Sequence, residues 1–67
     1  MNLSKFVDKN VRITRNDNIS FNGYVVELFP GRYNDDGVDS IGVLRKKGET
    51  NGIELSVSEI KKIEILN

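Results

Sequence analysis

The sequence predicts a mainly β domain, a five-stranded, bent, antiparallel small barrel with a short helix or turn ahead of its first strand. Three observations predict it. Apolar residues alternate with polar ones, the period-2 signature of half-buried strands, in segments separated by turn-forming clusters. The longest such segment, ISFNGYVVELF over Ile19–Phe29, would run roughly 36 Å if straight. A globule of this mass has a radius of gyration of only about 11 Å, so that strand has to bend. It also carries an interior glycine, Gly23, and glycine inside a strand marks a bend, a bulge or a close backbone approach.

In chain order, Leu3, Phe6 and Val7 fall at i, i+3 and i+4 and share one face of a helical turn, which Asn2 or Ser4 is placed to cap. NVRITR (10–15) alternates Val11 and Ile13 against Asn10, Arg12 and Thr14 as a first strand. Asn16-Asp17-Asn18 is a turn, because Asn and Asp side chains bond their own backbone and tolerate left-handed φ. In the second strand Ile19, Phe21 and Val25 share one face. After Gly23 the other phase also turns apolar, through Tyr24, Val26 and Leu28. The reading is a strand hinged at Gly23 that leaves one sheet and serves a second.

PGRYNDDG (30–37) is the clearest loop. VDSIGVLRK (38–46) is a third strand around Ile41 and Val43, with Gly42 inside it, and KKGETNG is a polar turn. GIELSV (52–57) is a short fourth strand with Ile53 and Leu55 inward. Ser56 and Glu59 have the spacing of a capping box, in which each side chain satisfies a backbone donor at the other's end of a helical turn. IKKIEIL (60–66) closes as a fifth strand with Ile63 and Ile65 inward and Lys62 and Glu64 outward. Closing a sheet of this kind hides edges that invite aggregation.

Composition bounds the function. The 67 residues, 1–67, make one small domain, which buries only about 60% of its unfolded surface. It has no Cys and no His, so there is no disulfide framework, no metal site in the usual zinc ligands, and neither the commonest general base nor a thiol nucleophile. Ser40, Ser56 and Ser58 lack an evident activating partner, and Asp35, Asp36 and Asp39 lack full calcium-loop spacing. The expectation is a non-enzyme without cofactor. Ten basic against ten acidic residues argue against strong non-specific nucleic-acid binding. No apolar run reaches the roughly 18 residues of a membrane span, and MNLSKFVDKN is polar rather than leader-like. The expected location is the cytoplasm. So small a core invites oligomerisation.

The chain resembles the Sm-like family and, more broadly, the SH3-like small barrels. KNVRITRNDNISFNGYVVEL is similar to the first Sm motif: a strand, a polar turn, then an aromatic two residues before a glycine in a bent second strand. GIELSVSEIKKIEIL is similar to the short second motif, and short bacterial Sm-like proteins of uncharacterised role end in much the same way. The resemblance implies a self-associating barrel, a homo-oligomer formed by pairing strand four of one copy with strand five of the next. It further implies RNA binding near the loops after strands two and four, which by position are Pro30–Gly37 and Ser56–Ser58. Two departures bear on that site. Phe29-Pro30-Gly31-Arg32-Tyr33 stands where an RNA-binding member has an Asp-x-x-x-Asn loop, and Ile53-Glu54-Leu55 stands in place of Ile-Arg-Gly.

The candidate contacts for RNA or single-stranded DNA are Arg32, Tyr33 and Asn34, which put a guanidinium, a stacking ring and an amide in one loop, together with Arg45 and Lys46 from the densest basic run. The competing arrangement folds Tyr33 back as a lid and pairs Arg32 with Asp35 or Asp36. For Arg45–Lys47 it is a solvated strand end, and for Lys61 and Lys62 a charged outer face that discourages edge pairing. A third reading is a monomeric SH3-like module that takes a protein partner's strand onto an open edge.

Overall fold

A computed structural model describes residues 2–66. Five antiparallel strands form one sheet: β1 (Asn10–Arg15), β2 (Ser20–Phe29), β3 (Ser40–Leu44), β4 (Gly52–Ser56) and β5 (Ile60–Ile65), in spatial order β4-β3-β2-β1-β5. Three single 3-10 turns complete it, at Ser4–Phe6, Gly31–Tyr33 and Val57–Glu59. Among the described residues the ladder begins at β4 and ends at β5 without closing, so the architecture observed is a curled open sheet.

The curl follows from chain length. In a flat five-stranded sheet the outer strands would lie about 19 Å apart. The chain between Ser56 and Ile60 reaches about 15 Å at most, yet it joins those two strands. β2 is under the same constraint: its ten residues would extend about 33 Å, more than the longest dimension of the molecule, 28 Å. It bends while changing partners. Ser20 to Tyr24 pair with β1 and Tyr24 to Phe29 with β3.

The ladder irregularity lies at Val26, between the pairs Val25↔Val43 and Glu27↔Gly42, rather than at Gly23. Gly23 has a different duty. It is buried, and a Cβ there would stand 2.5 Å from Val43 Cγ1 and 3.0 Å from the Leu44 carbonyl oxygen. The glycine lets β3 press against the first half of β2. Gly31 is similarly constrained, since a Cβ would run into the backbone of Gly37 and Val38.

One core takes residues from every strand and from the N-terminal turn: Leu3, Phe6, Val11, Ile13, Val25, Ile41, Val43, Leu55 and Ile60. The Ser4–Phe6 turn forms as its spacing predicts, with Leu3 and Phe6 buried and Val7 packed against them. Asn2 Oδ1 accepts the Ser4 N–H at 3.0 Å. In the Asn16–Asn18 turn, Asp17 accepts the Ile19 N–H and Asn18 takes φ 68°. The Ser56–Glu59 box is present as read, with Ser56 N–H donating to Glu59 and Ser58 N–H to Ser56 Oγ.

Four residues of the apolar strand pattern are exposed: Ile19, Val26, Ile53 and Ile65. Each has a positional reason. Ile19 precedes β2, and Val26 is the unpaired residue of the irregularity. Ile53 and Ile65 sit opposite the buried Val43 and Val11, but on the two outermost strands, where no further strand covers them. β3 is also shorter than VDSIGVLRK suggests, because Val38 and Asp39 belong to the loop and Arg45 and Lys46 to the turn.

In urea unfolding, Ile41→Ala should lower stability by about 2–5 kcal/mol and Gly23→Ala by about 1–3 kcal/mol through overpacking against β3. Ile19→Ser should stay within about 0.5 kcal/mol. The transition midpoints at unchanged slope report each value.

Candidate functional site

The two loops to which the resemblance points, after β2 and after β4, come together. Tyr33, Asp35 and Asp36 from the first loop, Glu54 from the middle of β4 and Glu59 from the turn after it line one trough of about 470 Å³. Pairing brings them together: Phe29↔Ser40 starts the β2–β3 ladder and Ser40↔Ser56 the β3–β4 ladder, so both loops leave the same end of the sheet. The Val57 N–H donates to the Asp39 carbonyl at 2.8 Å and ties them directly.

The loop is internally braced. Asp39 Oδ1 accepts the Gly31 N–H at 2.6 Å. The Asn34 amide donates to the carbonyls of Val38 at 2.8 Å and Phe29 at 3.3 Å. Asn34 therefore holds the loop closed, and its donors are engaged by backbone rather than directed at a ligand. Ser40 does have a partner, contrary to its reading from the sequence: its hydroxyl donates to Glu54 Oε2 at 2.7 Å. The residue is only 3% exposed, so the hydroxyl links the loop to the edge strand from beneath the surface.

Tyr33 does not fold back. It is 74% exposed, and the Arg32 guanidinium stacks on its ring at 4.8 Å from the centroid, a cation–π pair in place of an ion pair with Asp35 or Asp36. The result is a flat exposed platform beside four carboxylates. Those carboxylates repel phosphate, so the surroundings of Arg32 and Tyr33 suit a cationic or neutral group better than a nucleic-acid backbone. Among the described residues no cluster of three or more His, Cys, Asp or Glu is arranged to hold a metal ion.

Arg45 and Lys46 lie elsewhere. They follow Leu44, at the opposite end of β3 from Ser40, about 17 Å along a five-residue strand. Arg45 is engaged with Glu49, its Nη2 at 2.6 Å from the carboxylate. The five residues read as one nucleic-acid site are thus two separate groups. Beside the second lies a feature missed in the sequence: an apolar groove of about 380 Å³ along β4, lined by Phe21, Val43, Leu44 and Ile53. Its signal was Ile53, which counts as a core residue under strict alternation and becomes a groove wall only once β4 is known to be an edge.

The N-terminal turn builds one further polar contact. Asp8, with φ 65°, places its carboxylate to accept the Tyr24 hydroxyl at 2.5 Å. That hydrogen bond, with burial and the negative charge of Asp8 adding to it, raises the phenol above its ordinary value. The folded state binds this proton more tightly than the unfolded chain. The stabilisation is therefore complete below about pH 10, the unfolded phenol's range, and is lost as pH rises through the higher folded value.

In a Tyr33→Phe background, phenolate absorbance should report Tyr24 ionising above the ordinary range, and Asp8→Asn should move it back down. Unfolding free energy should fall with rising pH only above about 10. Asn34→Ala should cost about 1–3 kcal/mol, the scale of orphaned hydrogen-bond partners, whereas Tyr33→Ala should stay within about 0.5 kcal/mol. Chemical denaturation of the two variants separates a brace from a free surface residue.

No protein-family model, no curated protein and no solved structure matches this chain.

Proposed function

We propose that this chain is a non-enzymatic binding and assembly module that associates with copies of itself through its two outer strands, on a small-barrel frame of the Sm-like and SH3-like kind. One observation carries the reading. Among the described residues β4 and β5 each have one side without a partner strand, and each presents an isoleucine, Ile53 at 52% and Ile65 at 43% exposure, opposite a buried valine. Leu66 is exposed beside Ile65. An unpaired strand offers a row of backbone donors and acceptors to another strand, and apolar side chains beside it add burial. Joining β4 of one copy to β5 of the next is a head-to-tail contact, which closes a ring or extends a filament according to its rotation. The short link between Ser56 and Ile60, and the curl it imposes, support the barrel frame.

Light scattering at micromolar concentration should give a mass that is a multiple of the monomer's. Ile53→Lys should reduce it to the monomer with the core intact, since Ile53 lies outside that core. A monomer at every concentration sinks the assembly reading and favours the monomeric module that docks a partner protein's strand, provided a protein co-purifies without nucleic acid.

A second reading, single-stranded nucleic-acid binding at the β2–β3 loop, is favoured by the exposed Tyr33 platform with Arg32 stacked on it and opposed by the carboxylates of the trough. It predicts oligonucleotide affinity that falls steeply with salt and is lost with Tyr33→Ala. Absence of binding at low salt removes it.

A further inference from the structure

The basic residues of this neutral chain are not evenly spread. An open cleft of about 510 Å³ between the N-terminal turn and the start of β5 is lined by Asn2, Lys5, Phe6, Lys61, Lys62 and Ile63. Half of these are lysines and none is acidic. We propose that this cleft binds a chain of phosphate groups.

The cleft depends on an irregularity in the sheet. In a regular strand neighbouring side chains point to opposite faces, so Lys61 and Lys62 would not share a site. Here Thr14 pairs with Lys62 and Arg15 with Ile60, which leaves Lys61 as an extra residue without a partner on β1. Such a bulge re-aims side chains, and both lysines line the same cleft. The third, Lys5, comes from the turn that Phe6 anchors in the core, and its Nζ lies 5.3 Å from the centroid of the Phe6 ring. Lys61 Nζ donates to the Asn18 amide oxygen at 2.7 Å, a neutral partner that leaves its charge uncompensated. Lys62 faces Glu64 at 3.6 Å with both side chains exposed, a long pair that a phosphate can displace. Among the described residues neither Lys5 nor Lys61 is ion-paired.

The chemistry selects the ligand class. Ammonium groups act as point charges without the planar fork of guanidinium, and Phe6 is only 5% exposed, so no ring is available to stack on a base. The cleft reads charge and its spacing. Its volume falls within the range of small-molecule sites, which fits a compact oligophosphate, either a free inorganic chain or the phosphate tail of a nucleotide. The carboxylates around Tyr33 disfavour the same ligand, and Arg45 is already held by Glu49.

Amide resonances of the isotopically labelled protein, titrated with tripolyphosphate at low ionic strength, test this in whatever oligomeric state it adopts. Saturable shifts at Asn2, Lys5, Lys61 and Lys62 are expected, weakening as salt screens the charges. Lys61→Gln and Lys62→Gln should each lower affinity about fivefold, the scale of an exposed charge pair. ATP binding as tightly as tripolyphosphate supports the proposal with either source, and a preference for tripolyphosphate supports it with the inorganic chain. The proposal is overturned by absence of saturable shifts at millimolar ligand, by shifts centred on Arg45–Lys47, or by single phosphate binding as tightly as tripolyphosphate.

Discussion

The structure depends on one short turn. Val57–Glu59 joins the two outermost strands of the sheet and is bonded at both ends to distant parts of the chain. The Val57 N–H reaches the Asp39 carbonyl, and the Glu59 carbonyl accepts the Asn16 N–H at 3.1 Å. The Asn16 amide also donates to the Ser58 carbonyl at 2.5 Å. Asn16 precedes β2 and Asp39 follows it, so the turn holds the two flanks of the longest strand within reach of each other. A straight β2 is incompatible with that clamp. The curl of the sheet, the covering of the core and the convergence of the loops after β2 and β4 all follow.

The clamp also explains how so small a chain, with no Cys to cross-link it, gathers one core. Curling lets all five strands and the N-terminal turn contribute to one cluster, with Val11, Ile13, Val25 and Ile41 fully covered. Its cost is the pair of unpaired sides. The turn links β4 to β5, yet among the described residues the two strands are not hydrogen-bonded to each other, so Ile53 and Ile65 are left exposed on the outer strands. That exposed rim is the observation on which the proposed self-association rests.

The same geometry segregates charge. The ten basic and ten acidic residues cancel in sum, yet carboxylates gather at the loops beside Tyr33, while Lys5, Lys61 and Lys62 gather at a separate cleft. A whole-chain balance therefore says little about the field any one ligand meets. Arg32, Tyr33 and Asn34 show the same limit at the scale of one loop. As three letters they form a nucleic-acid contact set. In the fold, the amide is a brace, the guanidinium lies on the ring, and the neighbours are acidic.

What the sequence determined by itself is local: the alternation of Val11 and Ile13, the turn chemistry of Asp17 and Asn18, the Ser56–Glu59 box, and the arithmetic that forbids a straight β2. These rest on spacings of a few residues and on the bulk of the whole chain, both readable without neighbours. Tertiary structure decided whatever depends on which strand lies beside which. Gly23 is open in sequence to hinge, bulge or close approach, and only the position of Val43 and Leu44 selects the last. Ile53 and Leu55 look alike in an alternating strand, and only edge position separates a groove wall from a core residue. Lys61 and Lys62 share a cleft only because the ladder slips by one residue against β1. Period and composition record what a side chain prefers; burial and local charge are set by pairing across the sheet.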